Sequence, residues 1–470
     1  MFKNNLLQVE SQLNQSIQDM LKEANINVDY DDNLSDSQKR ALELFKEGRN
    51  LLVLGPGGTG KSFLIKTMEE YIKTSHKNKK MYLCSTTGIS AYNIGGMTIH
   101  SFMGIGTGDM PIENLIKKVR RKKMYRDRIV NTDILVIDEV SMLSGELFEK
   151  LHLICQNIRK SQLFFGGIQV IFTGDFLQLL PVFNKNKDLY KELDERLIIE
   201  SPLFHQIFNK ENIVILQENF RQQNDKMFIN LLLKIRDGSF TDDEVNLLTS
   251  RKNLPNNLNE HVHLVSSNKK AQIINETQLN KLKTSKVRYV SSYSSSGKDS
   301  DIKELLTNEL KFQLNQKGIN DLTLKKGARV MLIKNLDVAS GLVNGAIGTI
   351  VDFIPDPSTN HDIPIVKFDT TNSKHPISVV SWELEIDGCK GMAYQIPLML
   401  AYSVTIHKSQ SLTLDSAILD LEDCFCDHQI YVALSRLKSL HGLYLKSFNK
   451  NKITVNKKMR DFLETLVRSK

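Results

Sequence analysis

Gly55-Pro56-Gly57-Gly58-Thr59-Gly60-Lys61-Ser62 is the most informative segment of this chain. It follows a run of four apolar residues and precedes apolar residues at helical spacing. A strand, a glycine-rich loop and a helix in this order form a P-loop, whose backbone N–H groups surround a triphosphate. We expect Lys61 to contact the β- and γ-phosphates and the Ser62 hydroxyl to bind Mg²⁺. A glycine-rich turn without a ligand is the alternative, and the correct flanks on both sides argue against it.

The composition indicates an intracellular protein of several domains. At 470 residues the chain exceeds the size of one hydrophobic core, so about two to four domains are expected. Its net charge of +8 is compatible with a polyanionic partner. The apolar runs are shorter than the roughly 18 residues that span a bilayer, so we expect no membrane contact. Five scattered cysteines favour a reducing compartment.

Two acidic residues, Asp138 and Glu139, end a buried apolar run about 80 residues after the P-loop, as is common in P-loop enzymes. We expect Asp138 to hold the Mg²⁺ shell and Glu139 to polarise the attacking water. Gln178 follows another apolar run and could contact the γ-phosphate, although its apolar neighbours also fit a core position.

Gln38 lies just before the first predicted strand, where its amide could pair with both edges of adenine. Ser35 or Asp36 is expected to cap the helix that contains it. That helix needs no ligand to explain it, so a structural role for Gln38 is also open.

Polar and aromatic residues follow the second predicted strand. Residues 85–88 and 91–102 combine hydroxyl groups, glycines, a histidine and aromatic rings. Ligands bind at the carboxyl ends of strands in doubly wound sheets, so these segments could hold the phosphates of a single strand and stack a base. An ordinary connection with a core histidine is equally compatible. Residues 104–128 form a short, strongly basic insertion, for which a nucleic-acid contact and a solvated face are both open.

The second half has the strand pattern of another α/β domain, without a phosphate loop of its own. Between residues 290 and 395 the strands become short and evenly spaced, which favours a small β-barrel. Arg436 lies among apolar residues, where a guanidinium needs an anionic partner. If Arg221 and Arg436 reached a nucleotide on the first domain, they would stabilise phosphoryl transfer and couple it to domain closure. The residues themselves therefore indicate a P-loop ATPase with a two-domain site that could move along a polyanion.

In this order the motifs resemble the PIF-type DNA helicases of superfamily 1, which have relatives in bacterial RecD and phage Dda. The similarity extends over residues 34–443, nearly the whole chain. The motifs that carry it are the region around Gln38, the P-loop, and residues 86–91, 98–102, 138–142, 165–169, 174–178, 220–222, 341–345, 406–410 and 431–436. So many motifs in the family order make the resemblance specific.

The resemblance implies an α/β protein with two RecA-like doubly wound domains in tandem. It also implies a small wedge insertion in the first domain and an SH3-like β-barrel inserted in the second. The expected parts are an N-terminal extension at 1–33, the first domain at 34–203 with the wedge at about 104–128, the second domain at 204–289 and 396–470, and the barrel at 290–395.

The activity that the resemblance implies is that of an ATP-dependent DNA helicase, which translocates 5′-to-3′ on single-stranded DNA and unwinds duplex. ATP hydrolysis at the interface of the two RecA-like domains would drive it, with ATP and Mg²⁺ as cofactors. The implied partners are single-stranded DNA and tailed duplex DNA, with replication or repair proteins as further candidates. We expect no membrane partner, and we expect a monomer that acts inside the cell.

The motifs also imply roles for individual residues. The implied catalytic residues are Lys61, Asp138, Glu139, Gln178, Arg221 and Arg436. Gln38 and residues 55–62 would bind the nucleotide, and Ser62 and Asp138 would hold Mg²⁺. The residues implied along the DNA track are Thr87, Gly88, Thr98, His100, Phe102, Thr405, His407 and Lys408.

Three other functions stay open on the sequence. A nucleic-acid-stimulated ATPase or translocase on the same scaffold could act on RNA, anneal strands or remodel protein–DNA complexes. A GTPase or a small-molecule kinase is a different P-loop class. A GTPase needs an Asn-Lys-x-Asp motif to recognise guanine, and the most similar segment, at 268–271, lacks the aspartate. A binding module without catalysis is least compatible with intact Lys61, Asp138 and Glu139.

Overall fold

The computed structural model describes residues 34–467, apart from 88–89, 92–93, 182–194, 256–260, 299, 318, 335, 338–339, 343–345, 357–361, 370, 387–388 and 411. The predicted N-terminal extension at 1–33 and the predicted DNA contact Gly88 lie outside the described residues. Among the helices that are described, none has both the length and the apolar character needed to cross a bilayer.

Helices and strands alternate along the described chain. The α-helices are α1 (Asp36–Lys46), α2 (Lys61–Ser75), α3 (Ile99–Met103), α4 (Ile112–Arg121), α5 (Lys123–Val130), α6 (Gly145–Arg159), α7 (Pro202–Ile207), α8 (Lys226–Asp237), α9 (Asp242–Thr249), α10 (Asn268–Lys281), α11 (Ser300–Lys317), α12 (Gln429–Leu434) and α13 (Lys457–Val467). The strands are β1 (Leu51–Leu54), β2 (Met81–Ser85), β3 (Met97–Thr98), β4 (Ile134–Asp138), β5 (Gln169–Gly174), β6 (Ile213–Ile215), β7 (Val262–Val265), β8 (Lys286–Val290), β9 (Ser292–Ser296), β10 (Asp321–Lys325), β11 (Arg329–Leu332), β12 (Ile347–Pro355), β13 (Asp362–Phe368), β14 (Lys374–Pro376), β15 (Val380–Ile386), β16 (Cys389–Gln395), β17 (Leu398–Leu400), β18 (Ser403–Thr405), β19 (Ala417–Asp420) and β20 (Leu443–Ser447).

Parallel strands form the first sheet, in the order β3-β2-β4-β5-β1-β6. Its central strands β1 and β4 are apolar and buried along their whole length, as expected for a parallel sheet covered on both faces. Leu54 of β1 pairs with Gly174 of β5, so the P-loop begins beside the carboxyl end of β5. The carboxyl ends of β1, β4 and β5 thus bring the P-loop, Asp138 and Asp175 to one edge of the sheet.

The first domain extends further along the chain than predicted. β6, which the sequence analysis assigned to the second domain, pairs in parallel with β1. Phe204 of α7 is fully buried in the same core. The predicted boundary at residue 203 is therefore too early, because strand pairing returns a later segment to the first sheet. Helix α13 also packs on this core through Met459, and the ring of Phe462 lies 6.0 Å from that of Phe176.

A second parallel sheet has the order β18-β7-β19-β20. Apolar side chains of α8 and α12 are buried in its core. Because β7 precedes the antiparallel region and β18 to β20 follow it, this second α/β domain is interrupted by an insertion. The predicted fold class, α/β with two RecA-like parallel sheets in tandem, is confirmed.

Antiparallel strands make up the inserted region. One sheet has the order β14-β13-β12-β11-β17, a second has the order β15-β16-β9, and β8 pairs with β10. The short strands predicted between residues 290 and 395 are present in that range. Helix α11 was not predicted, and its Leu310 and Leu314 pack against Ala393 of β16. Their four-residue spacing is the helical signal that the surrounding strand pattern obscured.

The basic insertion at 104–128 folds largely as α4 and the first part of α5. Leu115 and Val119 of α4 are buried in the first core. The Arg128 guanidinium donates to the carbonyl oxygens of Ser101 and Phe102, each at 3.1 Å. Arg128 therefore has a structural role within the basic run. The exposed basic residues of the run are Lys117, Arg120, Arg121, Lys122 and Lys123.

Candidate nucleotide site and nucleic-acid track

The phosphate loop connects β1 to α2 in the conformation that its glycines permit. Gly58 and Gly60 adopt φ angles of 90° and 77°, in the left-handed region that favours glycine. Gly60 precedes α2 and provides no capping side chain, so no side chain of the cap covers the first N–H groups of the helix. These groups and the helix dipole form a site for an anion.

The side chain of Lys61 folds back onto the P-loop. Its Nζ donates hydrogen bonds to the carbonyl oxygens of Gly55 at 2.7 Å and Pro56 at 2.9 Å. Burial lowers the pKa of Lys61, while the carboxylates of Asp175, Glu139 and Asp138 oppose that shift. The ammonium group is thus placed at the P-loop next to the predicted acidic residues.

Asp138 and Glu139 are both buried at the end of β4. The Asp138 carboxylate accepts hydrogen bonds from the hydroxyls of Ser90, at 2.8 Å, and Thr173. Glu139 has a φ of 57°, a left-handed conformation that costs a non-glycine residue about 1–3 kcal/mol. Its carboxylate accepts a hydrogen bond of 2.9 Å from Nε2 of Gln410, which belongs to the second domain.

Three predicted γ-phosphate contacts meet at the open face of Gly57. A Cβ atom built on this glycine would lie 3.4 Å from Nη2 of Arg436 and 3.5 Å from Nη1 of Arg221. Nε2 of Gln178 would lie 3.6 Å from the same point. Arg221 and Arg436, which are distant from the P-loop in sequence, therefore reach the nucleotide loop, as the two-domain interpretation requires.

Neutral groups accept the hydrogen bonds that the structure gives these two arginines. Arg436 donates to the carbonyl of Val432 at 2.9 Å and to the hydroxyl of Ser435 at 2.8 Å, and Arg221 donates to the carbonyl of Ser435 at 2.8 Å. Burial lowers the pKa of Arg436, and burial together with the Arg436 charge lowers the pKa of Arg221 to about 10. A buried arginine beside a partly buried one, with no carboxylate bonded to either among the described residues, suits an anionic ligand.

Tyr431, Asp175 and Arg236 belong to the same site and were not predicted. The Tyr431 hydroxyl accepts a hydrogen bond from the Gly57 N–H at 3.2 Å and donates to Oδ2 of Asp175 at 3.3 Å. Asp175 forms a buried ion pair with Arg236 of α8, with Nη2 and Oδ1 2.5 Å apart. Burial favours the neutral acid, but Arg236 holds the pKa of Asp175 below its ordinary value. The signal for Tyr431 was its place in the motif that ends at Arg436.

Gln38 takes part in the cap of α1 and also touches the P-loop. Ser35 caps the helix, and the Ser35 N–H donates to Oε1 of Gln38 at 3.0 Å. Nε2 of Gln38 donates to the Thr59 carbonyl at 3.3 Å. The structural role is therefore real, and recognition of adenine stays a prediction.

Phe102 is wrongly predicted as a DNA contact. Its side chain is fully buried in the first core, where its ring centroid lies 5.3 Å from that of Tyr82 and 5.8 Å from the guanidinium of Arg128. Helix α3 turns this face inward, while Thr98 caps the helix by accepting a hydrogen bond from the Ser101 N–H.

His100 and Thr87 are partly exposed in the same part of the first domain. Burial lowers the pKa of His100, which favours its neutral form. The Thr87 hydroxyl accepts a hydrogen bond from the Ser90 N–H at 3.3 Å. Contact of either residue with DNA stays a prediction.

Thr405, His407 and Lys408 lie at the end of β18 and on the 3-10 turn His407–Ser409. The Thr405 hydroxyl accepts a hydrogen bond from the Lys408 N–H at 3.4 Å. The His407 ring stacks on Phe425 with centroids 6.1 Å apart. Thr405 and Lys408 line a cleft of about 680 Å³, together with α10 residues that include Asn268, Lys269, Gln272 and Asn275.

The fold and this site are those of the P-loop nucleotide-binding class, with the loop on one parallel-sheet domain and two arginines contributed from beyond that sheet. The family model for PIF1-like helicase matches residues 33–246, and the model for the 2B domain of the DNA helicase Pif1 matches residues 308–353. The chain is similar to the ATP-dependent DNA helicase PIF1 of Danio rerio, with 35% identity over 92% of this chain and 64% of that protein.

Solved structures agree with this assignment. The crystal structure of Pif1 helicase from Candida albicans is 32% identical, covers 92% of this chain and 99% of that chain, and has a TM-score of 0.81. Pif1 helicase from Bacteroides in complex with ADP-AlF3 and single-stranded DNA is 27% identical over 94% of this chain and 98% of that chain, with a TM-score of 0.71. The chain belongs to the PIF1-like helicase family. It spans 56% of the Candida albicans and 64% of the Danio rerio protein sequences.

Proposed function

We propose that this protein is an ATP-dependent DNA helicase that translocates 5′-to-3′ on single-stranded DNA and unwinds duplex. The convergence of Arg221 and Arg436 on Gly57 is the observation that carries the proposal, because it joins two domains at one nucleotide site. Membership of the PIF1-like helicase family supports the same activity. The Bacteroides relative in complex with ADP-AlF3 and single-stranded DNA supports the choice of ligands.

ATP and Mg²⁺ fit the residues at the carboxyl edge of the first sheet. The Asp138 carboxylate, oriented by Ser90 and Thr173, and the exposed Ser62 hydroxyl are oxygen donors of the kind that Mg²⁺ prefers. Bound there, Mg²⁺ would neutralise charge that develops on the phosphates. Lys61 and the loop N–H groups would hold the phosphates, and Gln38 would bind adenine.

Hydrolysis would depend on residues of both parallel-sheet domains. Glu139 would accept a proton from the attacking water as a general base. Gln178, Arg221 and Arg436 would stabilise negative charge around the γ-phosphate. Because Arg436 comes from the second domain, the gain and loss of the γ-phosphate would draw the two domains together and release them, and this motion would drive translocation.

Further parts of the proposal concern the insertions, the location and the oligomeric state. We propose that residues 104–128 act as the wedge that separates strands and that the antiparallel sheets after residue 286 form the SH3-like barrel. We also propose an intracellular monomer that works on tailed duplex DNA, with replication or repair proteins as further partners.

Matched duplexes with a 5′ tail, a 3′ tail or no tail test the activity and its direction. With ATP and Mg²⁺ we expect strand separation only of the 5′-tailed DNA, because a 5′-to-3′ motor loaded on that tail runs into the duplex. Gel separation of the product strand measures it. Unwinding of the 3′-tailed duplex alone would contradict the direction. Stronger stimulation of ATP hydrolysis by an RNA tail than by a DNA tail would favour the RNA-directed alternative.

The double variant His407→Ala/Lys408→Ala is expected to weaken binding of single-stranded DNA. Burial lowers the pKa of His407, so its neutral ring supplies contact area and Lys408 supplies the charge. The slope of log K against log salt should fall by about 0.7 to 1, the value for one lost phosphate contact. Fluorescence anisotropy at several salt concentrations measures this slope.

Lys438→Ala is the matched control, since Lys438 is an exposed lysine of the second half that pairs with Asp415. The control should leave DNA affinity unchanged. Nucleotide affinity should be the same for the wild type and both variants. Wild-type DNA affinity and salt slope in the double variant would remove His407 and Lys408 from the track.

A further inference from the structure

Gln410 connects the proposed general base to the proposed DNA track. Its side chain is only 2% exposed, and Nε2 donates to Oε2 of Glu139 at 2.9 Å. Gln410 directly follows the turn that carries His407 and Lys408, and its N–H donates to the carbonyl of His407 at 3.3 Å. One side chain therefore reaches from a segment assigned to DNA binding to a residue assigned to hydrolysis.

The remaining polar atom of the Gln410 amide is available for a ligand. Its carbonyl oxygen Oε1 is buried and has no hydrogen-bond partner among the described residues. A buried acceptor without a partner is unfavourable, so such atoms call for an explanation. An amide that donates to the catalytic carboxylate can use its free oxygen to accept a hydrogen bond from the water that the carboxylate activates.

Hydrogen bonds connect the residues of the turn at 405–409 to one another. The Lys408 N–H donates to the Thr405 hydroxyl, and the Ser409 hydroxyl donates to the Ile406 carbonyl at 2.8 Å. Thr405 itself is fixed in the second sheet, where it pairs with Val265 of β7. Movement of this turn upon contact with a phosphate backbone would therefore shift the Gln410 amide and, with it, the Glu139 carboxylate.

We propose that Gln410 is a positioning residue that orients Glu139 and the attacking water, and that it makes hydrolysis respond to DNA on the turn at 405–409. This inference rests on the proposed function, because it requires DNA-stimulated ATP hydrolysis. Through its hydrogen bond to Glu139, the Gln410 amide would connect the proposed DNA-binding segment directly to the proposed general base.

Gln410→Met tests the proposal, because methionine has a similar length and cannot make either hydrogen bond. We expect the rate of ATP hydrolysis with saturating oligo-dT to fall at least about tenfold, the effect of losing one hydrogen bond to a charged group. The rate without DNA should also fall, but by a smaller factor than the stimulated rate, so the stimulation ratio falls. The KM for ATP and the dissociation constant for oligo-dT should stay within about twofold of wild type.

Gln278→Met is the matched control. Gln278 is also a buried glutamine of the second domain, on α10, and its carbonyl oxygen has no hydrogen-bond partner in the part of the chain that the structure describes. We expect its stimulation ratio to equal that of the wild type. A thermal unfolding midpoint within a few degrees of wild type for both variants shows that they are folded, and Gln410→Asn serves as a second variant if Gln410→Met unfolds.

The outcomes separate this inference from the function on which it rests. A wild-type protein that DNA does not stimulate would overturn both. A stimulated wild type with an unchanged ratio in the Gln410 variant would overturn the positioning role alone. Equal losses of the basal and the stimulated rate would do the same, because they indicate general damage to the site rather than loss of the connection to DNA.

Discussion

An Arg436→Ala variant is expected to hydrolyse ATP roughly 10³- to 10⁵-fold more slowly than the wild type when single-stranded DNA is present. The guanidinium lies over the open face of Gly57, where the γ-phosphate of a bound nucleotide is expected. Arginines placed in this way stabilise the charge of the transition state more than that of the ground state, so the loss falls on kcat. A coupled assay of ADP release measures the rate, and binding of an ATP analogue should weaken far less.

Because Arg436 is among the largest fully buried side chains, its removal could disturb folding. Arg436→Lys keeps a positive charge while losing the planar fork, and we expect it to be strongly impaired as well. Arg251→Ala is the control, since Arg251 also donates to backbone carbonyls of the second domain, those of His441 and Leu443. Wild-type turnover in both Arg436 variants would remove Arg436 from the chemistry.

Lys61→Ala and Glu139→Gln are expected to abolish DNA-stimulated hydrolysis in two distinguishable ways. Loss of the Lys61 ammonium should reduce both nucleotide affinity and kcat, because the charge contacts the phosphates in the ground state and in the transition state. Glu139→Gln removes a general base, a group that contributes about 10²- to 10⁴-fold to a rate, and retains an oxygen that can accept from Gln410.

Nucleotide binding and turnover measured side by side separate the two effects. We expect the Glu139→Gln variant to bind ATP and DNA with affinities close to wild type and to fail in hydrolysis. Lys66→Ala, an exposed lysine on the same helix as Lys61, is the control and should behave as wild type. Turnover at the wild-type rate in either Lys61→Ala or Glu139→Gln would refute the assignment of that residue.

Features that depend on short stretches of sequence were predicted well. The P-loop and the acidic pair at Asp138 are contiguous motifs whose residue types follow from phosphate and metal chemistry, and the structure gives them the expected strand and helix flanks. The resemblance to the helicase family implied the two parallel sheets that the structure contains.

Features that depend on contacts between distant segments were predicted poorly. Strand pairing moved β6 into the first sheet, although its own sequence suits either domain. Phe102 was misassigned because a mixed polar and aromatic loop does not reveal which face of a short helix points inward. The contacts of Tyr431 with Gly57 and of Asp175 with Arg236 join residues whose pairing no local pattern specifies. The sequence raised the approach of Arg221 and Arg436 to the nucleotide only as a possibility, and the structure places both arginines at the nucleotide loop.

The placement of α13 has a mechanical consequence. The chain leaves the first sheet after β6 and enters the second domain, and after β20 it returns to the first core, where Phe462 lies 5.8 Å from Phe204. Two backbone connections therefore join the two domains. Two backbone connections between the domains resist rotation of one domain about the long axis of the other more than they resist hinge bending. In the helicase proposed above, each cycle of nucleotide turnover would thus repeat the same relative movement of the two domains.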